Sequence, residues 1–507
     1  MRTPLPLLLA AALAPAAAAV DPIDAFSPGP YAVGSWDWDL GTVEVTEPGT
    51  GGQGVLEVDH FGTLRYPATR DGELTPGVGG EPRPFLVFAH GRFQVAGFVG
   101  TNHLQAAYLL DHLASWGFVV ASVNLDVVGQ YGIPAAIGPR GELVNHTIDA
   151  FAEVELEGVA IDTTRVGLIG HSRGGEGVIA AWELQETPGI IEAIATIAPT
   201  DFTEIVVEDV PYLSIYGSKD GDVSNGWPIR VYDRQGDAIE KAFEYVEGAN
   251  HFWFTETIDF APETPADIPR EVHHDVARTY VSAFIRSRLG PRGPRPFDLL
   301  ADDPSLFPVT DQAVVHPMYS SPDALVVDDH EDVPPDAATN SLAETVAWQD
   351  VLEVAEEDLE VPALTLYHAT QGLSLSFEGP APALLVHALR PQMELGAMRY
   401  LSLRALQRHG APLNTPGQPQ DVTIVLVDRG RQLATQPLSD WGTIPWPITH
   451  PGPFFPDKSV LRTTRVPLRA FVEANPLLDL TDLELVGLVF DQTASGELRL
   501  DDLAFTP

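Results

Sequence analysis

The run Arg165-Val166-Gly167-Leu168-Ile169-Gly170-His171-Ser172-Arg173-Gly174-Gly175 constrains this chain more than any other. An apolar strand pattern ends in Gly-x-Ser-x-Gly, and Gly174 to Gln185 continues with helical periodicity. A serine flanked by glycines two places before and two after fits a sharp strand-to-helix turn. The glycines let backbone and helix approach with no Cβ in the way. The turn pushes the hydroxyl outward, and the first N–H groups of the helix face the place where negative charge would develop. Ser172 is therefore the candidate nucleophile.

The surrounding pattern supplies the sheet that such a turn needs. Apolar runs at Phe85 to Ala89, Phe118 to Leu125, Arg165 to Ile169, Ile190 to Ala198, Val210 to Tyr216 and Ala242 to Val246 read as strands. Helical faces alternate with them at Leu104 to Trp116, at Gly174 to Gln185, and at Val272, Val276, Tyr280 and Phe284 before Gly290-Pro291. Strands apolar along their whole length, alternating with helices, predict a doubly wound, mostly parallel sheet covered on both faces. Upstream, the alternation from Gly54 to Tyr66 predicts a hairpin.

A serine nucleophile on this sheet requires an acid and then a histidine further along the chain. The strand Tyr212 to Gly217 is followed by Ser218-Lys219-Asp220-Gly221-Asp222-Val223, and Asp220 is preferred to Asp222 as the acid. Asp201, after the preceding strand, is a third choice. His251, in a Gly-containing loop beyond the last strand, is the candidate base, able to take the serine proton and return it to a leaving group. His273 and His274 are adjacent on a helix, so their rings diverge and a paired metal site is not expected. Two backbone N–H groups should hold an oxyanion: that of Arg173, and that of Arg92 after His90-Gly91, with Phe93 as second choice. Nothing in this chemistry calls for a metal or organic cofactor.

Composition narrows the remaining classes. With 29 Lys+Arg against 71 Asp+Glu, a formal net charge of -42, the surface repels phosphate backbones and anionic lipid. The absence of Cys excludes disulfides, thiolate catalysis and Cys-based metal centres. Arg2, the apolar Leu5 to Leu13 and the small residues Ala16 to Ala19 predict a signal peptide over 1–19 and a secreted or periplasmic product. No later apolar stretch approaches the roughly 20 residues of a membrane helix.

After Pro291 to Pro296 the period changes. Short strands at Leu373 to Phe377, Leu384 to Leu389, Tyr400 to Arg404, Val422 to Val427, Thr464 to Leu468, Leu485 to Phe490 and Leu498 to Phe505 predict an all-β sandwich. The expected organisation is a signal peptide 1–19, a catalytic domain 20–290 that closes its own core, a linker 291–325 and an accessory sandwich 326–507. Between Pro296 and Leu389 there are 18 Asp or Glu and no Lys or Arg, read as a solvated acidic face, with a calcium-binding loop as the less common alternative.

His90-Gly91 after a strand, the Gly170 to Gly175 turn, Gly217-Ser218-Lys219-Asp220 and Ala249-Asn250-His251 resemble the α/β-hydrolase fold. Within it they are most similar to the chlorophyllase, dienelactone hydrolase and cutinase-like polyester hydrolase groups, over about residues 30–290. The resemblance implies ester hydrolysis through an acyl-Ser172 intermediate, on a neutral ester, polymeric substrates included. Pro28 to Gly34 also resembles the polyester hydrolases. Arg92 stands where those enzymes carry an aromatic, and Thr200 where they carry a Trp. The segments Arg465 to Phe471, Val489-Phe490-Asp491 and Gly496 to Phe505 resemble galactose-binding-like jelly rolls, which implies a carbohydrate or surface ligand. In that fold Asp501 and Asp502 are candidates for a structural calcium. The alternatives are a polysaccharide-directed carbohydrate esterase and a non-catalytic surface-binding protein with an idle hydrolase domain.

Overall fold

The computed structural model describes residues 25–92, 100–256, 263, 265–290, 308–449 and 457–507. The expected signal peptide, Phe93 and the Pro291 to Pro296 segment lie outside them.

Ten strands form the first sheet: β1 (Ala32–Thr46), β2 (Val55–Ala68), β3 (Gly72–Glu73), β4 (Arg83–Ala89), β5 (Val119–Val123), β6 (Ile161–His171), β7 (Ile191–Ile197), β8 (Tyr212–Gly217), β9 (Lys241–Val246) and β10 (Val315–Ser320). Their order is β10-β9-β8-β7-β6-β4-β5-β2-β1-β3. The middle, from β5 to β9, is parallel throughout. Its strands are mostly apolar along their length because both faces are covered. In β4, Phe85, Val87 and Ala89 pack on one face with α3 (Ile137–Phe151) and α4 (Arg173–Leu184). Leu86 and Phe88 pack on the other with α1 (Ala107–Ser115) and α6 (Arg270–Leu289). Alternate side chains of one strand thus feed two cores, as the two-residue repeat of a strand dictates.

Two expectations are corrected at the sheet's ends. Val55–Ala68 is one long strand, not a hairpin in itself; its antiparallel partner is β1, upstream. At the other end the sheet does not stop at residue 290. β10 lies within the expected 291–325 linker, yet it pairs antiparallel with β9, from Val315 opposite Val246 to Ser320 opposite Lys241. Two neighbouring apolar residues, Val314 and Val315, are too little periodicity to read as a strand, and only the free edge of β9 selects it.

The C-terminal part is β-rich, as its period suggested. Its strands are β11 (Leu325–Asp328), β12 (Val346–Gln349), β13 (Glu353–Asp358), β14 (Gln371–Glu378), β15 (Ala383–Ala388), β16 (Tyr400–Gln407), β17 (Thr423–Asp428), β18 (Leu433–Pro437), β19 (Arg462–Pro467), β20 (Leu483–Phe490) and β21 (Ser495–Thr506). One sheet runs β13-β14-β21-β16-β19, with β11 also on β21; the other runs β12-β15-β20-β17-β18. Leu373, Leu375, Leu403 and Leu500 of the first share a core with Leu385, Ile424, Leu426 and Leu488 of the second. The two inner faces therefore pack on each other.

The two parts are also joined by a core of their own. Tyr216, Ile229, Tyr232, Phe243, Tyr245 and Met318 are buried together with Leu359, Leu366, Tyr367, Leu406, Val460 and Leu461. A charged network runs alongside it. Asp233, on α5 (Trp227–Arg234), accepts from Arg404 Nη2 at 2.9 Å and from His368 Nδ1 at 2.8 Å. Among the described residues no helix is long and apolar enough to cross a membrane.

Candidate active site

Ser172 caps the start of α4 with φ 58° and ψ −127°, a conformation that costs a non-glycine residue about 1–3 kcal/mol. The surrounding chain leaves it little choice. Its N–H donates to Ile197 O at 2.9 Å. A Cβ on Gly174 would come within 2.1 Å of Ala89 O, and one on Gly170 within 2.3 Å of Gly174 O. The two glycines of the motif are thus required by backbone-to-backbone contact on either side of the serine.

The His90-Gly91-Arg92 loop passes against this turn. A Cβ on Gly91 would lie 3.0 Å from the Ser172 Cβ. His90 Nδ1 donates to Gly91 O at 2.6 Å, while its Nε2 accepts the Leu125 N–H at 2.8 Å. That pattern requires a neutral imidazole, and burial pushes His90 down to about 4 against the pull of Asp126. Buried Arg140 donates to His90 O at 3.0 Å. Its guanidinium is lowered to about 9 by burial and then by the nearby charge of Arg173. Arg173 opens α4, so no acceptor within the helix meets its N–H. Arg92 follows Gly91 in the loop against Ser172.

The acid and base meet as expected. His251 Nδ1 lies 2.7 Å from Asp220 Oδ2, and both side chains are fully buried. Asp220 Oδ1 accepts the N–H groups of Val223, at 2.7 Å, and Asp222, at 3.0 Å, so the carboxylate is held by its own turn. With Nδ1–H donating to Asp220, the neutral form of His251 has its lone pair on Nε2, which is buried and has no hydrogen-bond partner. Burial disfavours the imidazolium, but Asp220, then Asp222 and Glu263, outweigh it and raise His251 to about 9. Ser172's neighbour His171 joins the two halves: its Nε2 is 3.2 Å from His251 O and the two rings are 4.7 Å apart.

The alternatives for the acid separate cleanly. Asp222 is half-exposed, with Oδ2 3.6 Å from His251 Nε2, on the opposite side of the ring from Asp220. Asp201 is paired with Arg234 instead. His273 and His274 diverge as predicted: His273 Nε2 accepts the Asn250 N–H at 3.0 Å, while His274 stacks on Tyr108. Asp501 and Asp502, the two carboxylates of the last strand, share one guanidinium from β16 with Asp233. Arg404 Nη1 sits 2.7 Å from Asp502 Oδ2 and 3.4 Å from Asp501 Oδ2.

Sequence reasoning missed three supports of the site. Glu263 accepts the N–H groups of both His251 and Phe252, the latter at 3.0 Å, and so holds the base's loop. Tyr367 covers the acid's loop: a Cβ on Gly226 would come within 2.6 Å of its side chain. Lys458 is buried, lies over the Tyr216 ring at 5.4 Å and feels the Asp220 charge; burial lowers it to about 8. Glu263 carried only the weak signal of an acid soon after the histidine. Tyr367 and Lys458 carried none, being 147 and 238 residues beyond Asp220. The tryptophan missing at Thr200 has aromatic neighbours in the structure: Phe202 and Trp227 meet edge to face with centroids 4.5 Å apart.

A comparison with known families points to a carboxylic ester hydrolase in general. Residues 92–262 match the family model PETase, described as PET hydrolase-like. The matched stretch contains Ser172, Asp220 and His251, and it bears out the resemblance to the polyester hydrolases.

Proposed function

We propose that this protein is an exported serine hydrolase with an α/β-hydrolase fold that cleaves carboxylic esters through an acyl-Ser172 intermediate. Ser172 Oγ attacks the ester carbonyl as His251 Nε2 takes its proton. The N–H groups of Arg92 and Arg173 receive the oxyanion. His251 returns the proton to the departing alcohol, and a water deprotonated by the same nitrogen releases the acid. Asp220 keeps the Nδ1 proton in place and stabilises the imidazolium. No step needs a metal or organic cofactor. The C-terminal part is read as a galactose-binding-like jelly roll that docks on a carbohydrate or a surface.

One observation carries this reading. A buried histidine is tied to a buried carboxylate through Nδ1, has Nε2 without a partner, and touches the residue adjoining a strained serine. A fluorophosphonate probe tests it: labelling should map to Ser172 and vanish in Ser172→Ala. Labelling elsewhere, or none in the native protein, would sink the proposal. A panel of short and long acyl esters, acetylated sugars and a polyester film then sorts the substrate.

A further inference from the structure

Outside the active site, one buried cluster sets two carboxylates beside histidines, with no Lys or Arg paired to them among the described residues. Asp328 ends β11, His330 follows it and Glu356 lies on β13; all three are buried. The side chains of Asp328 and Glu356 are 3% and 0% exposed. Two buried carboxylates are costly unless a cation compensates them. Among the described residues no Lys or Arg forms an ion pair with either, in keeping with the absence of basic residues from Pro296 to Leu389.

The donor atoms converge. His330 Nδ1 is 3.2 Å from Asp328 Oδ1 and 3.4 Å from Glu356 Oε1. The ligand atoms of all three residues lie within 4.8 Å of one another. A tetrahedral ion with bonds of about 2.0–2.2 Å sets its ligands about 3.3–3.6 Å apart. The outer contacts hold the ligands as a metal site requires. Glu356 Oε2 accepts the Asp336 N–H at 2.6 Å, leaving Oε1 for the cluster. A fourth residue is aimed at it from the opposite sheet: His387, on β15, is 1% exposed. Its Nδ1 lies 3.1 Å from Asp328 Oδ2, outside hydrogen-bond geometry.

We propose that Asp328, His330 and Glu356 bind a divalent transition-metal ion of the zinc class, with His387 orienting Asp328 from the second sheet. The imidazole donor selects against calcium and magnesium, which favour all-oxygen shells. The two carboxylates neutralise the ion, and water completes its shell. The site ties β11 to β13 and, through His387, to β15. Because β11 follows β10 after four residues, the ion would also fix the passage from the first sheet to the C-terminal part.

The test uses the full-length mature protein stripped with a chelator and titrated with zinc, with cobalt as a spectroscopic substitute. Metal content by mass spectrometry should show one equivalent retained after gel filtration, and the melting temperature should rise. Cobalt should give the intense visible bands of a four-coordinate site with a nitrogen donor. Glu356→Gln keeps an acceptor for Asp336 and removes a charged ligand; it should weaken retention about tenfold or more. His330→Gln should abolish the cobalt bands. Equal retention by native and Glu356→Gln protein would mean loose binding to the acidic surface and would overturn the proposal. So would weak octahedral cobalt bands in the native protein, or stabilisation by calcium but not zinc. If Glu356→Gln does not fold, the native cobalt spectrum decides alone.

Discussion

Ser172 and Asp220 occupy turns after β6 and β8, with β7 between them in the sheet, and they are held by different parts of the chain. The serine turn is closed by residues near it on the sheet: Gly170 and Gly174 meet backbone, and Gly91 rests on Ser172 itself. The acid's turn closes its own hydrogen bonds through Val223 and Asp222. Its outer side, however, is packed by the C-terminal part, through Tyr367 against Gly226, Lys458 over Tyr216, and the shared core around Tyr216 and Tyr245. The Ser172 turn is thus a local device, whereas the setting of Asp220 is a tertiary one. The C-terminal part is accordingly expected to support catalysis as well as docking.

The largest effect should come from the local device. Ser172→Ala should lower kcat/KM by about 10⁴-fold or more with little change in melting temperature, because it removes a reacting atom and no packing. Near-native turnover in that variant would dismiss the nucleophile. His251→Ala should behave alike.

Ending the chain at residue 290 tests the tertiary half of the comparison. That cut bares the β9 edge by removing β10, and it exposes Tyr216, Tyr232, Phe243 and Tyr245. The expected product is insoluble or inactive even on a small soluble ester. A soluble 20–290 fragment with native turnover would show that the acid's turn stands without its C-terminal cover.

The two aspartates should part next. Asp220→Asn should cost about 10³–10⁴-fold in kcat, since it removes the group that fixes the Nδ1 proton. Asp222→Asn should cost far less and act through pH. The base must be neutral, so the rate should climb with pH and reach half-maximum above the usual histidine value, towards about 9. Removing the carboxylate beside Nε2 lowers that value, so the Asp222→Asn profile should move to lower pH. A profile that stays put would reassign the raised value to Asp220 alone. His251 should also mark stability. Its folded pKa exceeds the unfolded one, so its contribution is full below about 6.5 and is lost as pH rises through about 9.

The smallest effect is the sharpest test of the interface. Lys458→Met removes a buried positive charge that acts on Asp220. Below about pH 8, where that charge is present, the Asp220 field on His251 then strengthens, so this limb of the pH profile should fall relative to the native one, opposite to Asp222→Asn, with kcat changed less than about tenfold. Paired kcat–pH profiles decide it: no displacement, or one to lower pH, would remove Lys458 from the electrostatics of the site.

The sequence by itself determined the parallel sheet, the serine turn, the order of acid and base, and the change to an all-β pattern after residue 290. These are written in short-range signals: apolar runs, glycine spacing and loop composition, whose physics acts over a few residues. Val315–Ser320 was read as linker because a short edge strand is chosen by the free hydrogen bonds of β9 rather than by its own pattern. Arg404 beside Asp501 and Asp502, Glu263 beneath the His251 loop, and Lys458 near Asp220 were equally invisible. Each is a charge placed by burial against a partner 12 to 238 residues away, and the low dielectric that makes such a pairing matter exists only once the chain has packed. The tertiary structure alone decided those contacts, and with them the dependence of the acid's turn on the C-terminal half of the molecule.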